Sequence, residues 1–140
     1  MNKMGECYKL VKEFKKKYPL TISFRLKKHC KLIEHHLNPD EKVLYAFPAQ
    51  KNSSPIEIFY TNVVALTNKR ILIATKRVIW GYFFVTITHD MFSDLTIRKG
   101  LFFGNVIIDT VKEKVVLSNI DPRALPELET IMSEYMINNK

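Results

Sequence analysis

Residues 63–76 read VVALTNKRILIATK. Two runs of apolar and β-branched residues stand on either side of Thr67-Asn68-Lys69, a spacing that lets the chain do nothing but turn back on itself. Strands this close in sequence must pair antiparallel, because a parallel return needs a dozen or more residues. The same texture continues outward in both directions. Strands are expected over Val43 to Gln50, Glu57 to Leu66, Arg70 to Arg77, Trp80 to Thr88, Leu95 to Arg98, Val106 to Thr110 and Lys114 to Ser118. Gly100 and Gly104 enclose Leu101-Phe102-Phe103 as one turn, and Lys112-Glu113 forms another.

On both sides of this region the apolar period changes from two to between three and four. Cys7, Leu10, Val11, Phe14 and Tyr18 make one helical stripe within Met4 to Lys17, and Pro19 ends it. Thr21 is placed to cap a second helix whose stripe is Ile22, Leu26, Cys30, Ile33 and Leu37. Asn38-Pro39-Asp40-Glu41 then marks a boundary, so residues 1–37 are expected to form a helical hairpin and residues 38–140 the sheet domain. At the far end Asp121-Pro122 supplies a cap and a first-turn proline. Leu125, Leu128, Ile131, Met132 and Tyr135 follow as the stripe of a closing helix, with 121–124 as a preliminary turn. The expected class is α+β.

The chain has 140 residues, 46% of them apolar and 26% charged, which suits one folded core and excludes a disordered or fibrous chain. Its longest run without a charge, Val78 to His89, is 12 residues, against the ~18 that a spanning helix requires. The first 20 residues hold no continuous apolar segment of a secretory signal, so a cytoplasmic location is expected, with the inner membrane face as a place of peripheral attachment. Cys7 and Cys30 lack the spacing of a zinc or redox motif and read as reduced, buried packing residues. The net charge of +8 is uneven: residues 1–40 hold ten Lys and Arg against four Asp and Glu, and the remaining 100 residues are only +2. That asymmetry points to a polyanionic partner for the first third, either nucleic acid or an anionic membrane.

His29, Cys30, Glu34, His35 and His36 are metal-ligating residue types, but only Cys30 and Glu34 stand at a helical ligand spacing, so the histidines read as solvent-facing or capping and no metal is expected. No nucleophile elbow, Walker loop, HExxH or GxGxxG occurs, and Asp90 and Asp94 read as turn caps. Neither an enzymatic activity nor a cofactor is expected.

Four phrases carry a resemblance: NPDEKVLYAF at 38–47, VVALTNKRILIATK at 63–76, ITHDMFSDLTIRKGLFFGNVIIDT at 87–110 and KVVLSNIDPRALPELETIM at 114–132. Their wording and order resemble the bacterial PH family, in particular its YokE-like branch. The resemblance implies a PH-like seven-stranded antiparallel barrel or sandwich capped by a carboxy-terminal helix, acting as a non-catalytic binding or scaffolding module. In phosphoinositide-binding relatives the first hairpin loop carries a basic cluster. Here residues 48–55 hold one base, Lys51, so inositol-phosphate recognition does not carry over.

The expected partner is another protein or the anionic cytoplasmic membrane surface. The alternative is nucleic acid tracked by the basic hairpin. Candidate anion-contacting residues are Lys15, Lys16, Lys17, Arg25, Lys27, Lys28 and Lys31 on the hairpin, and Lys69, Arg70, Lys76 and Arg77 around one strand. The second group, beside Trp80 and Tyr82, reads more simply as charge guarding a sheet edge. Leu101, Phe102 and Phe103 form a candidate apolar contact turn. The resemblance and short strands such as Leu95 to Arg98 also favour a homo-oligomer.

Overall fold

A computed structural model describes residues 5–21, 26–51, 61–76 and 81–138. Helices α1 (Glu6–Lys17) and α2 (Leu26–His36) precede strands β1 (Val43–Lys51), β2 (Thr61–Thr67), β3 (Ile71–Lys76), β4 (Tyr82–Ile87), β5 (Phe92–Lys99), β6 (Gly104–Thr110) and β7 (Lys114–Ile120). Helix α3 (Leu125–Asn138) closes the chain. The strands form one antiparallel sheet in the order β4-β3-β2-β1-β7-β6-β5, the PH-like α+β fold. Among the described residues β1 meets β7 at Gln50 and Lys51, in register with Ser118 and Leu117.

Alternation assigns the two faces. Phe47, Ala49, Val64, Leu66, Ile71, Ile73 and Ile87 point inward with Val106, Ile108, Leu117 and Ile120, and Leu125, Leu128 and Met132 of α3 close this core. Ala46, Val63, Ala65, Leu72 and Ala74 point the other way and are equally buried, covered by Cys7 and Val11 of α1 and Cys30 and Ile33 of α2. Three of the five are alanine, which lets the helices lie close to the sheet. Every residue of β2 is therefore buried, and its unbroken apolar run VVAL reflects cover on both faces. A bulge at Leu44 turns Val43 to the outer face while Tyr45 and Phe47 keep to the inner one.

Phe14 departs from this division. It stands on α1 but belongs to the inner core, its ring 5.7 Å from Phe47, 6.3 Å from Tyr45 and 5.0 Å from Tyr18. The helical hairpin is thus a structural layer as well as a bearer of charge. Burial of such an aromatic contributes on the order of 3–5 kcal/mol.

Strand β5 begins at Phe92, three residues before the expected Leu95, because a register shift between Phe92 and Asp94 breaks the alternation there. A short 3-10 turn over His89–Met91 leads into it. Asp121 opens the turn Pro122–Ala124 by accepting the N–H of Arg123, and α3 starts at Leu125, as the sequence predicts. Arg25, Arg77, Trp80 and the expected starts at Met4, Ile22 and Glu57 lie outside the described residues, as do the side chains of Lys76 and Tyr82.

Candidate functional site

The phrase LTNKR is built into the β2–β3 turn. Thr67 Oγ1 donates to Glu41 Oε2 at 2.6 Å and accepts the N–H of Lys69 and Arg70. Asn68 accepts the Lys42 N–H at 2.7 Å and donates to the Asp40 carbonyl. The Arg70 guanidinium grips Glu41 through Nε at 2.9 Å and Nη2 at 3.0 Å, and donates from Nη2 to the His36 carbonyl at the end of α2. Burial raises the pKa of Glu41, yet hydrogen bonds from Arg70, Thr67 and the Asn38 N–H, with the charge of Arg70, hold it below its ordinary value. Arg70 is accordingly a tie between α2, β1 and β3 and not an open cation. Lys69 pairs with Asp40 at 3.1 Å on the surface. The edge-guarding expectation is corrected here, because β3 lies inside the sheet between β2 and β4.

The histidine cluster also divides. His29 is buried and not solvent-facing, while His35 is exposed. His36 bonds the Leu32 carbonyl through Nδ1 and stacks on Phe84 with ring centroids 3.9 Å apart. Glu34 accepts the Cys7 N–H at 3.1 Å. Among the described residues no group of three His, Cys, Asp or Glu is placed to hold a metal ion.

The hairpin lysines are distributed in three ways. Lys27, Lys28 and Lys31 are exposed on α2. Lys17 pairs with Glu127 of α3 at 2.8 Å, and that hydrogen bond and charge raise its pKa. Glu127 also accepts from Tyr18 and Tyr45, tying α1, β1 and α3 into one cluster. Lys15 and Lys16 line a cleft of about 640 Å³ on the outer side of the hairpin, together with Lys9, Lys12, Glu13, Tyr8, Pro19 and Leu26. The lining thus combines four lysines and one glutamate with the less polar Tyr8, Pro19 and Leu26. Lys12 sits 4.8 Å over the Tyr8 ring, and Lys15 donates to the Thr21 carbonyl, with burial drawing its pKa down.

Lys9 and Lys12 were not singled out in the sequence. The signal is their spacing: Lys9 and Lys12 are three apart and Lys16 follows Lys12 by four, which puts all three on one side of α1. The cleft stands at the Leu26 end of α2 and the Lys69-Arg70 turn at its His36 end. An 11-residue helix makes that a separation of roughly 15 Å, so the two expected basic groups do not form one site.

The apolar turn divides as well. Leu101 and Phe102 are 88% and 73% exposed, while Phe103 folds half inward and its carbonyl accepts the Gly100 N–H at 2.8 Å. Gly104 is buried against Leu125, where a Cβ would stand 2.5 Å from Leu125 Cδ1. That close approach, rather than the turn itself, is what requires glycine there.

A family model described as a bacterial PH domain matches residues 37–134. No curated protein matches the chain.

Proposed function

The chain belongs to the bacterial PH-domain family, and we propose that it is a non-catalytic binding module that docks on an anionic membrane surface through its amino-terminal helical hairpin, whose residues 1–37 serve as a basic unit set on the sheet domain 38–140. The observation that supports this reading is the gathering of Lys9, Lys12, Lys15 and Lys16 with Tyr8, Pro19 and Leu26 in the lining of one cleft. Lipid phosphates lie above glycerol and acyl chain, and ammonium groups around apolar side chains match that layering. Each cation close to an anionic leaflet contributes up to about 1 kcal/mol. Lys27, Lys28 and Lys31 extend the same field along α2. No described helix is long and apolar enough to cross a membrane, so attachment in this proposal is peripheral.

Vesicle co-sedimentation of the full chain, with phosphatidylglycerol in phosphatidylcholine against phosphatidylcholine alone and duplex DNA over a salt series, tests the proposal. Binding to the anionic vesicles that weakens with salt, and is lost in Lys9→Glu/Lys12→Glu/Lys16→Glu, is the expected result. Preference for DNA at every salt concentration would transfer the hairpin to nucleic acid. Binding to neither would leave a protein partner as the surviving reading of the module. Self-association through the free edge of β5 belongs to the same proposal, and a mass that stays at 16.4 kDa up to about 100 μM in sedimentation equilibrium removes it.

A further inference from the structure

Leu101 and Phe102 stand at the tip of the β5–β6 hairpin, and three contacts connect that tip with the lysine cleft. Gly104, which closes the tip, is in register with Ile120 at the end of β7. Asp121 follows, and its Oδ2 accepts the Leu20 N–H at 3.2 Å while its own N–H donates to Thr21 Oγ1 at 2.9 Å. Leu20 is 57% exposed, and its neighbour Pro19 lines the cleft. The cleft, Leu20 and the tip therefore occupy one end of the molecule, the end where α3 begins.

Lysines and arginines outnumber carboxylates at this end, with Glu13 among the residues that line the cleft. Arg98 and Lys99 are exposed at the base of the tip, and from Leu95 to Ile108 the hairpin carries no carboxylate. Two acids at this end are engaged: Asp121 is buried against Arg123, and Glu127 is bonded by Lys17. Val111, another large exposed apolar residue at 70%, differs on both counts. It lies at the opposite end of β6, roughly 20 Å away, and is followed by Lys112 and Glu113.

We infer that Leu20, Leu101 and Phe102 are the bilayer-inserting residues of this protein, entering the acyl region of an anionic leaflet while Arg98 and Lys99 stay at its phosphates. The inference rests on the membrane reading above and adds an orientation to it, with the β5–β6 end down. An apolar hairpin tip ringed by cations fits a bilayer, apolar within and anionic at its face, and a bare phosphate backbone offers those side chains no apolar environment.

Leu101→Ser/Phe102→Ser and Val111→Ser are compared with the unaltered chain on phosphatidylglycerol-containing vesicles. The tip variant is expected to bind about tenfold or more weakly with the same salt slope, and Val111→Ser to bind as the parent. Equal binding by the tip variant, or an equal loss in Val111→Ser, overturns the inference and leaves the lysine reading standing. Failure of the unaltered chain to bind these vesicles overturns both. As a second readout, Phe102→Cys carries an environment-sensitive fluorophore while buried Cys7 and Cys30 stay unlabelled. A blue shift on adding anionic vesicles is expected, and unchanged emission with bound protein refutes insertion.

Discussion

The guanidinium of Arg70 holds a Glu41 carboxylate that has no exposed surface, at 2.9 Å through Nε. This pair links the end of α2 to the β2–β3 turn, and neither member has another described ion-pair partner. Removing one member strands the other in a dry environment. Arg70→Ala is expected to destabilise the fold by about 3–5 kcal/mol, measured by urea unfolding, and Glu41→Gln by less because the amide keeps part of the hydrogen bonding. A loss under about 1 kcal/mol for Arg70→Ala would contradict this role.

Gly104→Ala places a methyl group within 3 Å of three Leu125 side-chain carbons, and Leu125 is itself buried. A loss of about 1–3 kcal/mol is expected. Leu125→Ala in the same chain relieves the clash, so a double-mutant cycle should show positive coupling. Strict additivity would place the strain elsewhere.

Acid should weaken the fold through three carboxylates. Hydrogen bonds from Arg123 hold Asp121 down to about 2, and Glu41 and Glu127 are also lowered, burial being outweighed by hydrogen bonds from Arg70 and Thr67 in one case and from Lys17, Tyr18 and Tyr45 in the other. A pKa lower in the folded state means that the contribution is complete above the unfolded values near 4 and is lost as pH falls through the folded ones. Urea midpoints should therefore decline progressively from about pH 4.5 toward pH 2. In Asp121→Asn the parent stability falls and so does this acid dependence. An unchanged slope would remove Asp121 from the account.

Cys7 and Cys30 face each other beneath the helical hairpin. The hydrogen bond with Cys30, followed by burial and the nearby negative charges, pushes the Cys7 thiol well above its ordinary value. Neither thiol should react with an aromatic disulfide reagent at pH 8 in native protein, and both should react at once in denaturant. Rapid labelling of native protein would show that the hairpin opens.

Deleting residues 1–37 would uncover Ala46, Val63, Ala65, Leu72 and Ala74 together and withdraw Phe14 from the inner core. The truncated chain is expected to aggregate or to lose cooperative unfolding, whatever it binds. Surface charge reversal at Lys9, Lys12 and Lys16 is for that reason the sharper test of the basic hairpin. A soluble truncation with an unchanged unfolding midpoint would make the helices an appendage.

The strands and closing helix are legible in the sequence because their signals are local: alternation, short turns, and an Asp-Pro start three residues before the helical stripe. The exception at Phe92 has a local cause too, since a bulge hides the alternation that would have announced it. The destination of Arg70 is not legible, because its carboxylate stands 29 positions earlier and nothing local pairs the two. The cleft is hidden for a related reason. It exists only through the packing of α1 against α2, and periodicity states which residues share a face without stating which faces meet.

During synthesis the two helices leave the ribosome before the sheet they cover. Cys7, Val11, Cys30 and Ile33 do not have the whole of their covering surface until β3 has followed, roughly 40 residues after α2 ends. At about 5–20 residues per second that is an interval of some seconds. The nascent hairpin is then cationic on one side and bare and oily on the other, the profile that holding chaperones and nearby anionic surfaces capture. The same layer that completes the finished protein makes its first moments the most exposed.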